Sequence, residues 1–567
     1  METQPLDSAL TQLQDHKQRW ARLPLREKIH YLEEIRERTI EHCDEWVEAG
    51  AKLKGFQLDS PLMGSEEWLS GPYPTVAWLT DVLATLHAIQ SGENPLAGFN
   101  TRTTDSGRVV VRVMPHSVYD RLLLSGYELD VWMRPGVTES DLPDTVGRFF
   151  REPDPDGRVT LVLGAGNVSA IPILDALYSL IADGDVVILK MNPVNEAYGA
   201  VFEHILAPLI RDGYLRIVYG GADVGEHLTR SDLVEAIHIT GSERTYNSIV
   251  FGAGSAGAKR RAAGKPTLTK PIRAELGGVG PTIVLPGPWT DSDIEYQAQH
   301  LATQKLHNAG HTCVASQVLI LPAEWDRTDA LLDALREALT TSPDRQPFYP
   351  GTEEKQVAFR AENPTAEALP GAQTRTLLCG VDPDSDHPGF HDEFFGPIYM
   401  TTALPGRHPA EFLHNAVDFA NDRLHGNLGA NLIVHPDTFK ELGPEFDRAL
   451  EDLRYGAIGV NAWSAFVFLA ARGAWGAYPG NTPEDIQSGT GVVHNALLFG
   501  SPEKNVVRAP FRPFPRSARH GHSTIAVKPP WFLTNRTATA TARQLTHFAA
   551  DPKPQRLIGL FASALRG

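Results

Sequence analysis

Cys313 stands in the run HNAGHTCVASQ, after a helical pattern and before a buried-strand pattern. A loop thiol beside backbone N–H groups is placed where a thiolate can be stabilised and act as a nucleophile. A small core hydrophobe is the plainer reading of a single cysteine. His307 and His311 precede it, and H-x3-H followed by x-C is a conceivable metal trio. Asn308-Ala309-Gly310 would break the helix such a pair needs, and no fourth ligand suggests itself, so no metal is expected. Glu275 lies in RAELGG. A carboxylate followed by two glycines can swing or be closely approached, which suits a general base; a surface Glu before a turn fits the same letters. Asn167 ends GAGN (Gly164–Asn167), which begins like a dinucleotide fingerprint but has Ser169 where G-x-G-x-x-G needs its last glycine. A helix N-terminus there would offer N–H donors to an anion or a developing oxyanion. Glu393 and Phe395 stand in EFFGP, a loop carboxylate with aromatics that pack inward. Lys190 closes the run VVILK, as a cofactor contact or a snorkelling surface residue. His520-Gly521-His522 is too short and isolated to make a metal site.

These residues need a scaffold, and the patterns around them supply an α/β one. RVTLVLGAGN, DVVILKMN, YLRIVYGG and VEAIHITG are buried-strand runs alternating with amphipathic helices over residues 158–250. Such alternation predicts a parallel sheet wound with helices, with sites at the carboxyl ends of its strands. PTIVLP, SQVLILP, GANLIVHP and YGAIGVN predict a second α/β lobe, its helix DSDIEYQAQHLATQKLHNAG ending at the Asn-Ala-Gly turn. The first 50 residues read as helix. RVVVRVMP (108–115) and YELDVWMRP (127–135) read as a hairpin or exposed arm, and 340–390, rich in Pro, Asp and Gly, as surface loop with short elements. Trp463, Phe466 and Phe468 in NAWSAFVF suit an apolar pocket for a medium or large hydrophobic molecule, or simply core packing.

The 567 residues carry a formal charge of -17, with 42% hydrophobic and 21% charged residues, the balance of an ordinary globular protein. At a typical domain size the length corresponds to roughly three to four domains or lobes. Three cysteines, Cys43, Cys313 and Cys379, exclude a disulfide framework. No secretory pattern opens the chain and no apolar run reaches the ~18 residues of a membrane span, so a cytoplasmic protein is expected. The acidic excess argues against nucleic acid as the main partner. The charge is uneven, however: from Ser501 onward eleven basic residues face two acids, a +9 tail on a -26 body. Such a tail most simply packs across its own or a neighbouring subunit, an exposed anion-binding arm being the alternative.

Together and in order, GAGN, VVILK, HITGS, RAELGGVGPTIVLP, NAGHTC, EFFGP and YGAIGVNAW resemble the aldehyde dehydrogenase superfamily, from about residue 158 to 495. The resemblance implies a Rossmann-like cofactor lobe (1–107 and 136–271), a small β oligomerisation arm (108–135), a catalytic lobe carrying the cysteine (272–465), a return segment (466–500) and a basic C-terminal extension (501–567). It implies NAD or NADP as cofactor, an aldehyde substrate, and a homodimer or homotetramer. Residue by residue, Cys313 would be the nucleophile. Asn167 and the Cys313 N–H would form the oxyanion hole, and Glu275 would activate water. Glu393 would hold the nicotinamide ribose and Lys190 the adenosine ribose. Gly241 and Ser242 would lie beside the pyrophosphate, with Gly166 and Phe395 completing the cofactor site.

The sequence also departs from the family pattern. Gly166 replaces a tryptophan, His311 replaces a glutamine, and MNPVNE follows Lys190, which puts Glu196 two positions beyond the glutamate that favours NAD over NADP. GAWGAYPGNTPEDIQSG replaces the late substrate-wall motif. The expected activity is oxidation of an aldehyde through a cysteine thioester that water cleaves. The alternatives are transfer of the acyl group to coenzyme A, which Glu275 disfavours, and a non-catalytic binding protein on the same fold.

Overall fold

The run Val159–Leu163 contains no charged residue, and in the computed structural model it lies in the middle of a sheet with helices on both faces. The model describes residues 3–371, 374–520 and 527–567; Gly521 and His522 of the histidine cluster lie outside them. Among the described residues the strands form two sheets, of six and eleven strands. The smaller runs in the order Gly489–Thr490, Ile272–Leu276, Ala236–Gly241, Val159–Leu163, Val186–Lys190, Leu215–Val218. All its pairs are parallel except the one made by Gly489–Thr490. The chain moves outward from Val159–Leu163 and then returns to its other side with Ala236–Gly241. At that reversal the loops leaving the two carboxyl ends, Gly164–Asn167 and Gly241–Ser242, diverge and open a crevice.

The larger sheet forms the second lobe. Its order is Asn100–Thr103, Val109–Met114, Glu128–Met133, Pro502–Arg508, Ala457–Val460, Gly429–Ile433, Gly280–Val284, Ser316–Pro322, Ile398–Leu404, Arg375–Val381, Glu367–Leu369. From Pro502–Arg508 to Arg375–Val381 the strands are parallel. The protein is thus α/β, with a Rossmann-like lobe beside a second, larger-sheeted lobe.

Three placements differ from the sequence reading. Segment 340–390 is not mainly surface loop. It contains Thr352–Glu362 and the strand Arg375–Val381, whose apolar run TLLC was masked by the Pro- and Gly-rich letters around it. The hairpin of 108–135 does not project as an arm. Glu128–Met133 pairs antiparallel with Pro502–Arg508 of the same chain, Glu128 opposite Arg508 and Met133 opposite Pro502, and so extends the larger sheet of its own chain. Finally, the extension assigned to 501–567 begins as an interior strand.

The letters PEKNVVR hide that strand because its charges are buried with partners. Glu503 is paired with Arg108 and accepts from Tyr478 Oη at 2.6 Å. Lys504 Nζ donates to the carbonyls of Leu450, Glu451 and Leu453 at 2.7–2.9 Å. Beyond the strand, Arg512 Nε and Arg516 Nη1 both donate to Asp293 Oδ1 at 2.8 Å. The helix Ala538–Ala550 then packs on Pro72–Gln90 and on Met63–Trp68. Its approach needs Gly64: a Cβ there would lie 2.1 Å from the Ala538 carbonyl carbon.

Asp293 is therefore the anchor of the extension. Burial alone would raise its carboxyl, but hydrogen bonds from Arg512 and Thr290 outweigh burial and hold it well below the usual carboxylate range. A depressed carboxyl contributes stability above its unfolded value and loses it as pH falls through the folded one. Asp293→Ala is expected to lower unfolding free energy by about 3 kcal/mol at neutral pH. In urea titrations the deficit should close only in strong acid; an equal deficit at every pH would refute this account.

Candidate active site

The helix Asp291–Leu306 stops where Asn308 (φ 54°) and Ala309 (φ 57°) both turn left-handed. For residues with a Cβ this costs about 1–2 kcal/mol each, so the surroundings must hold the turn. They do so with buried charge. The Asn308 N–H donates to Glu66 Oε1 at 2.9 Å, and Asn308 Oδ1 accepts from Lys54 Nζ at 2.7 Å. Lys54 is paired with Glu67 at 2.6 Å and Glu66 with Arg345. Asn308 Nδ2 in turn donates to the carbonyls of Asn167 and His311, both at 3.0 Å. Gly310 follows at φ 80°, where a Cβ would come within 2.6 Å of the Gly396 carbonyl carbon, so this loop and the EFFGP loop touch backbone to backbone. Trp463 Nε1 donates to the Val314 carbonyl at 3.0 Å, fixing the far side of Cys313.

Cys313 meets Glu275 in this frame: its Sγ–H donates to Glu275 Oε1 at 3.6 Å. Burial pushes the thiol well above its ordinary range, and the carboxyls of Glu275 and Glu393 push it the same way. Burial also raises Glu275, with Asp175 adding to it; the Trp475 and Cys313 side chains pull weakly in the opposite direction. Glu275 Oε2 is buried without a hydrogen-bond partner among the described residues. Asn167 Nδ2 donates to the His311 carbonyl at 3.0 Å. An amide nitrogen carries two hydrogens, so a second donor is left for an oxygen beside Cys313.

Asn167, Gly166, Lys190, Gly241, Ser242, Glu275, Cys313, Glu393 and Phe395 all line one crevice, of about 1080 Å³. That is the upper end of ligand-site volumes. Its walls fit a dinucleotide. At Gly225 nothing lies within 4 Å of an added Cβ, and at Gly241 the nearest atoms are those of Ile239 at 3.6 Å, so both backbones stand open to the crevice. Ser242 caps the helix Glu243–Phe251, its Oγ accepting from the Thr245 N–H, and that helix start faces the same space. Burial lowers the Lys190 ammonium, against the pull of Glu196 and Asp223. Glu393 fills the room left by Gly277, where a Cβ would lie 2.1 Å from its Oε1. Burial pushes the Glu393 carboxyl up to about 7, opposed by Lys355 and Lys305.

Other candidates take structural places. His307 Nε2 donates to the Ser65 carbonyl at 2.8 Å, while His311 stacks on Tyr349 and reaches Thr352 Oγ1 at 2.9 Å. Glu196 accepts from the Gly220 N–H at 3.0 Å and does not line the crevice. Sequence reasoning read Asn308 only as part of a helix-breaking turn, and missed Trp475 and the Asp175–His238–His494 group behind Glu275. Only Asn308 carried a signal, because asparagine is among the few residues with a Cβ that enter the left-handed region readily.

The fold is two-lobed α/β, with an open crevice at the strand reversal and a thiol beside a carboxyl on its wall. Residues 135–355 match the model of the aldehyde dehydrogenase family. Rat aldehyde dehydrogenase family 3 member A2 is 24% identical over 289 residues, 48% of this chain and 54% of that protein. N-succinylglutamate 5-semialdehyde dehydrogenase 1 of Caulobacter vibrioides is 27% identical over 306 residues, 50% of this chain and 61% of that one. The match thus spans little more than half the length of these relatives. Among solved structures, gamma-glutamyl-gamma-aminobutyraldehyde dehydrogenase from Burkholderia cenocepacia superposes with a TM-score of 0.58 at 19% identity, covering 88% of each chain. The Mycobacterium tuberculosis aldehyde dehydrogenase complexed with NAD+ gives 0.56 at 17%, covering 88% of this chain and 89% of that one. Residues 135–355 thus resemble an aldehyde dehydrogenase domain, and the likeness to the solved structures is one of fold.

The Cys313–Glu275 contact makes a direct prediction. Glu275→Gln removes a negative neighbour, so the pH at which Cys313 is alkylated by iodoacetamide should shift down. Peptide mass spectrometry separates Cys313 from Cys43 and Cys379; an unmoved or raised midpoint would show that the carboxyl does not control the thiol.

Proposed function

We propose that the protein oxidises an aldehyde to a carboxylic acid with NAD(P) as hydride acceptor. The reading is carried by one observation, Cys313 Sγ 3.6 Å from a buried Glu275 carboxyl on the wall of a dinucleotide-sized crevice. In this mechanism Glu275 takes the thiol proton as the Cys313 sulfur adds to the aldehyde carbon. The free hydrogen of Asn167 Nδ2 and the Cys313 N–H donate to the oxyanion that forms. When bound, the nicotinamide supplies a hydride acceptor, and the carbon left on Cys313 is a thioester. Glu275 passes its proton on to solvent and, ionised again, removes a proton from the water that attacks this carbon; the C–S bond breaks, and the acid leaves as the sulfur is reprotonated. Lys190 and Glu393 would hold the two riboses of the bound cofactor, and Gly241, Ser242, Gly166 and Phe395 would shape the crevice around its pyrophosphate and nicotinamide.

The reading includes a homodimer or homotetramer. Asn100–Thr103, exposed at every residue, is the unpaired outer edge of the large sheet where a second copy would add. Sedimentation of the full chain measures the assembly.

Reduced-nicotinamide absorbance across an aldehyde panel, with each cofactor and with or without coenzyme A, tests the chemistry. Cys313→Ala should fall to background, and Glu275→Gln should slow turnover by about 10²–10⁴-fold. Because Glu275 is raised, its carboxylate form grows only as pH passes neutrality. Rates should therefore climb into the alkaline range, and Glu275→Gln should flatten that limb. Turnover by Cys313→Ala would remove the nucleophile assignment, and strict dependence on coenzyme A would replace hydrolysis by acyl transfer.

A further inference from the structure

Besides the crevice, Cys313 lines a second cavity of about 50 Å³ with Val168, Ile171, Trp463, Phe468 and Trp475. Ligand sites span roughly 300–1,000 Å³, so this space holds little beyond the reacting carbon and its first neighbours. Leu69, Leu469 and Trp531 line it and also a neighbouring chamber of about 310 Å³. These three side chains are therefore the partition between the two. The far wall of the chamber comes from the C-terminal extension, through Pro529, Pro530, Leu545, Phe548, Leu560 and Phe561. Trp531, the extension's part of the partition, is held edge-on to Tyr127 at 6.0 Å and tilted on Phe466 at 5.4 Å.

The charge on the opposite wall restricts what can enter. Arg472 lines the chamber, but its guanidinium is already shared between Asp81 at 2.9 Å and Asp120 at 3.1 Å, which line it too. With two carboxylates already on it, the guanidinium is not available to pair with an anionic group, and a carboxylate entering here would meet Asp81 and Asp120.

We propose that residues 527–567 build a tail chamber for the substrate, so that this chain acts on uncharged aldehydes with an extended apolar body that crosses the Leu69–Leu469–Trp531 partition. The inference rests on Cys313 as the group that attacks the carbonyl. It excludes semialdehydes that end in a carboxylate.

Initial rates of the full chain with propanal, hexanal, decanal and 10-oxodecanoate test it. kcat/KM should rise by about fourfold for each methylene that reaches the chamber. Decanal should exceed 10-oxodecanoate by about tenfold or more, since burying an unpaired charge is costly. Ala564→Trp, filling the chamber from the last helix, should lower the decanal-to-propanal ratio of kcat/KM by about tenfold or more. That ratio is unaffected by a general loss of active protein. A flat chain-length profile, an unmoved ratio or preference for 10-oxodecanoate would overturn the chamber while leaving aldehyde oxidation standing. If no aldehyde is oxidised, calorimetry of decanal with Cys313→Ala decides separately: binding that Ala564→Trp weakens supports the chamber, and no binding ends it.

Discussion

A left-handed turn at Asn308 and Ala309 is the constraint from which the site follows. Two successive residues with Cβ atoms in that region would relax into helix if left alone. What prevents it is a buried set of charges, Lys54, Glu66, Glu67 and Arg345, that meet the turn at the Asn308 N–H and side chain. Lys54, Glu66 and Glu67 come from the N-terminal helical region, although the turn belongs to the second lobe. The junction of the lobes is therefore made at the Cys313 loop itself. Buried ion pairs contribute little net stability but are severe about geometry, because a displaced partner leaves a charge unsolvated. A loop held this way has one position for Cys313.

The same logic of satisfied buried charge joins the C-terminal segment to the body. Pro502–Arg508 sits between Glu128–Met133 and Ala457–Val460, so the hairpin and the parallel strands of the larger sheet become continuous only through it. Once that strand is in place, Asp293 draws Arg512 and Arg516 across the helix start at Thr290, and the final helices are carried over to Met63–Trp68. The basic character of the tail is thus largely answered within the chain: Arg508 meets Asp130, Arg543 meets Asp44, and Arg556 meets Asp551.

What the letters disclosed, and what they concealed, follows from how each element is stabilised. The central strands of the first lobe were readable because uninterrupted Val, Ile and Leu have no other comfortable place, and GAGN marks the turn after the first of them. Pro502–Arg508 was unreadable as an interior strand because its burial is licensed by partners distant in sequence, Arg108 395 residues away and the carbonyls of Leu450, Glu451 and Leu453 51–54 residues away. Arg375–Val381 was hidden by composition averaged over its flanks. In the site, the residues assigned to the chemistry stood in recognisable motifs, and Asn308 stood in NAGHTC with them, whereas Asp175, behind Glu275, stood in none. A positioning residue needs only a donor or a charge in the right place, and many local sequences supply one.

Asp175 shows how such a residue sets chemistry without touching the thiol. It accepts from Thr240 at 2.7 Å, from His494 at 3.0 Å and from His238 at 3.1 Å. Burial would raise it, but the donors His238 and His494 outweigh burial and keep it ionised. Arg273 Nε donates to His238 Nδ1, which puts the imidazole hydrogen on the nitrogen facing Asp175 and leaves the ring neutral. A fixed negative charge therefore stands behind Glu275 and, together with burial, raises its proton affinity. For the proposed reaction the consequence is twofold. A carboxyl near the ordinary range would be ionised throughout but too weak a base for a thiol or a water, whereas a raised one is a stronger base present in a smaller fraction. The raised thiol of Cys313 matches it: with both groups protonated the pair is neutral and unreactive, and once Glu275 has lost its proton it can take the thiol's across the 3.6 Å between them. Reactivity is in this way withheld from solvent and released at the wall shared by the crevice and the apolar cavity.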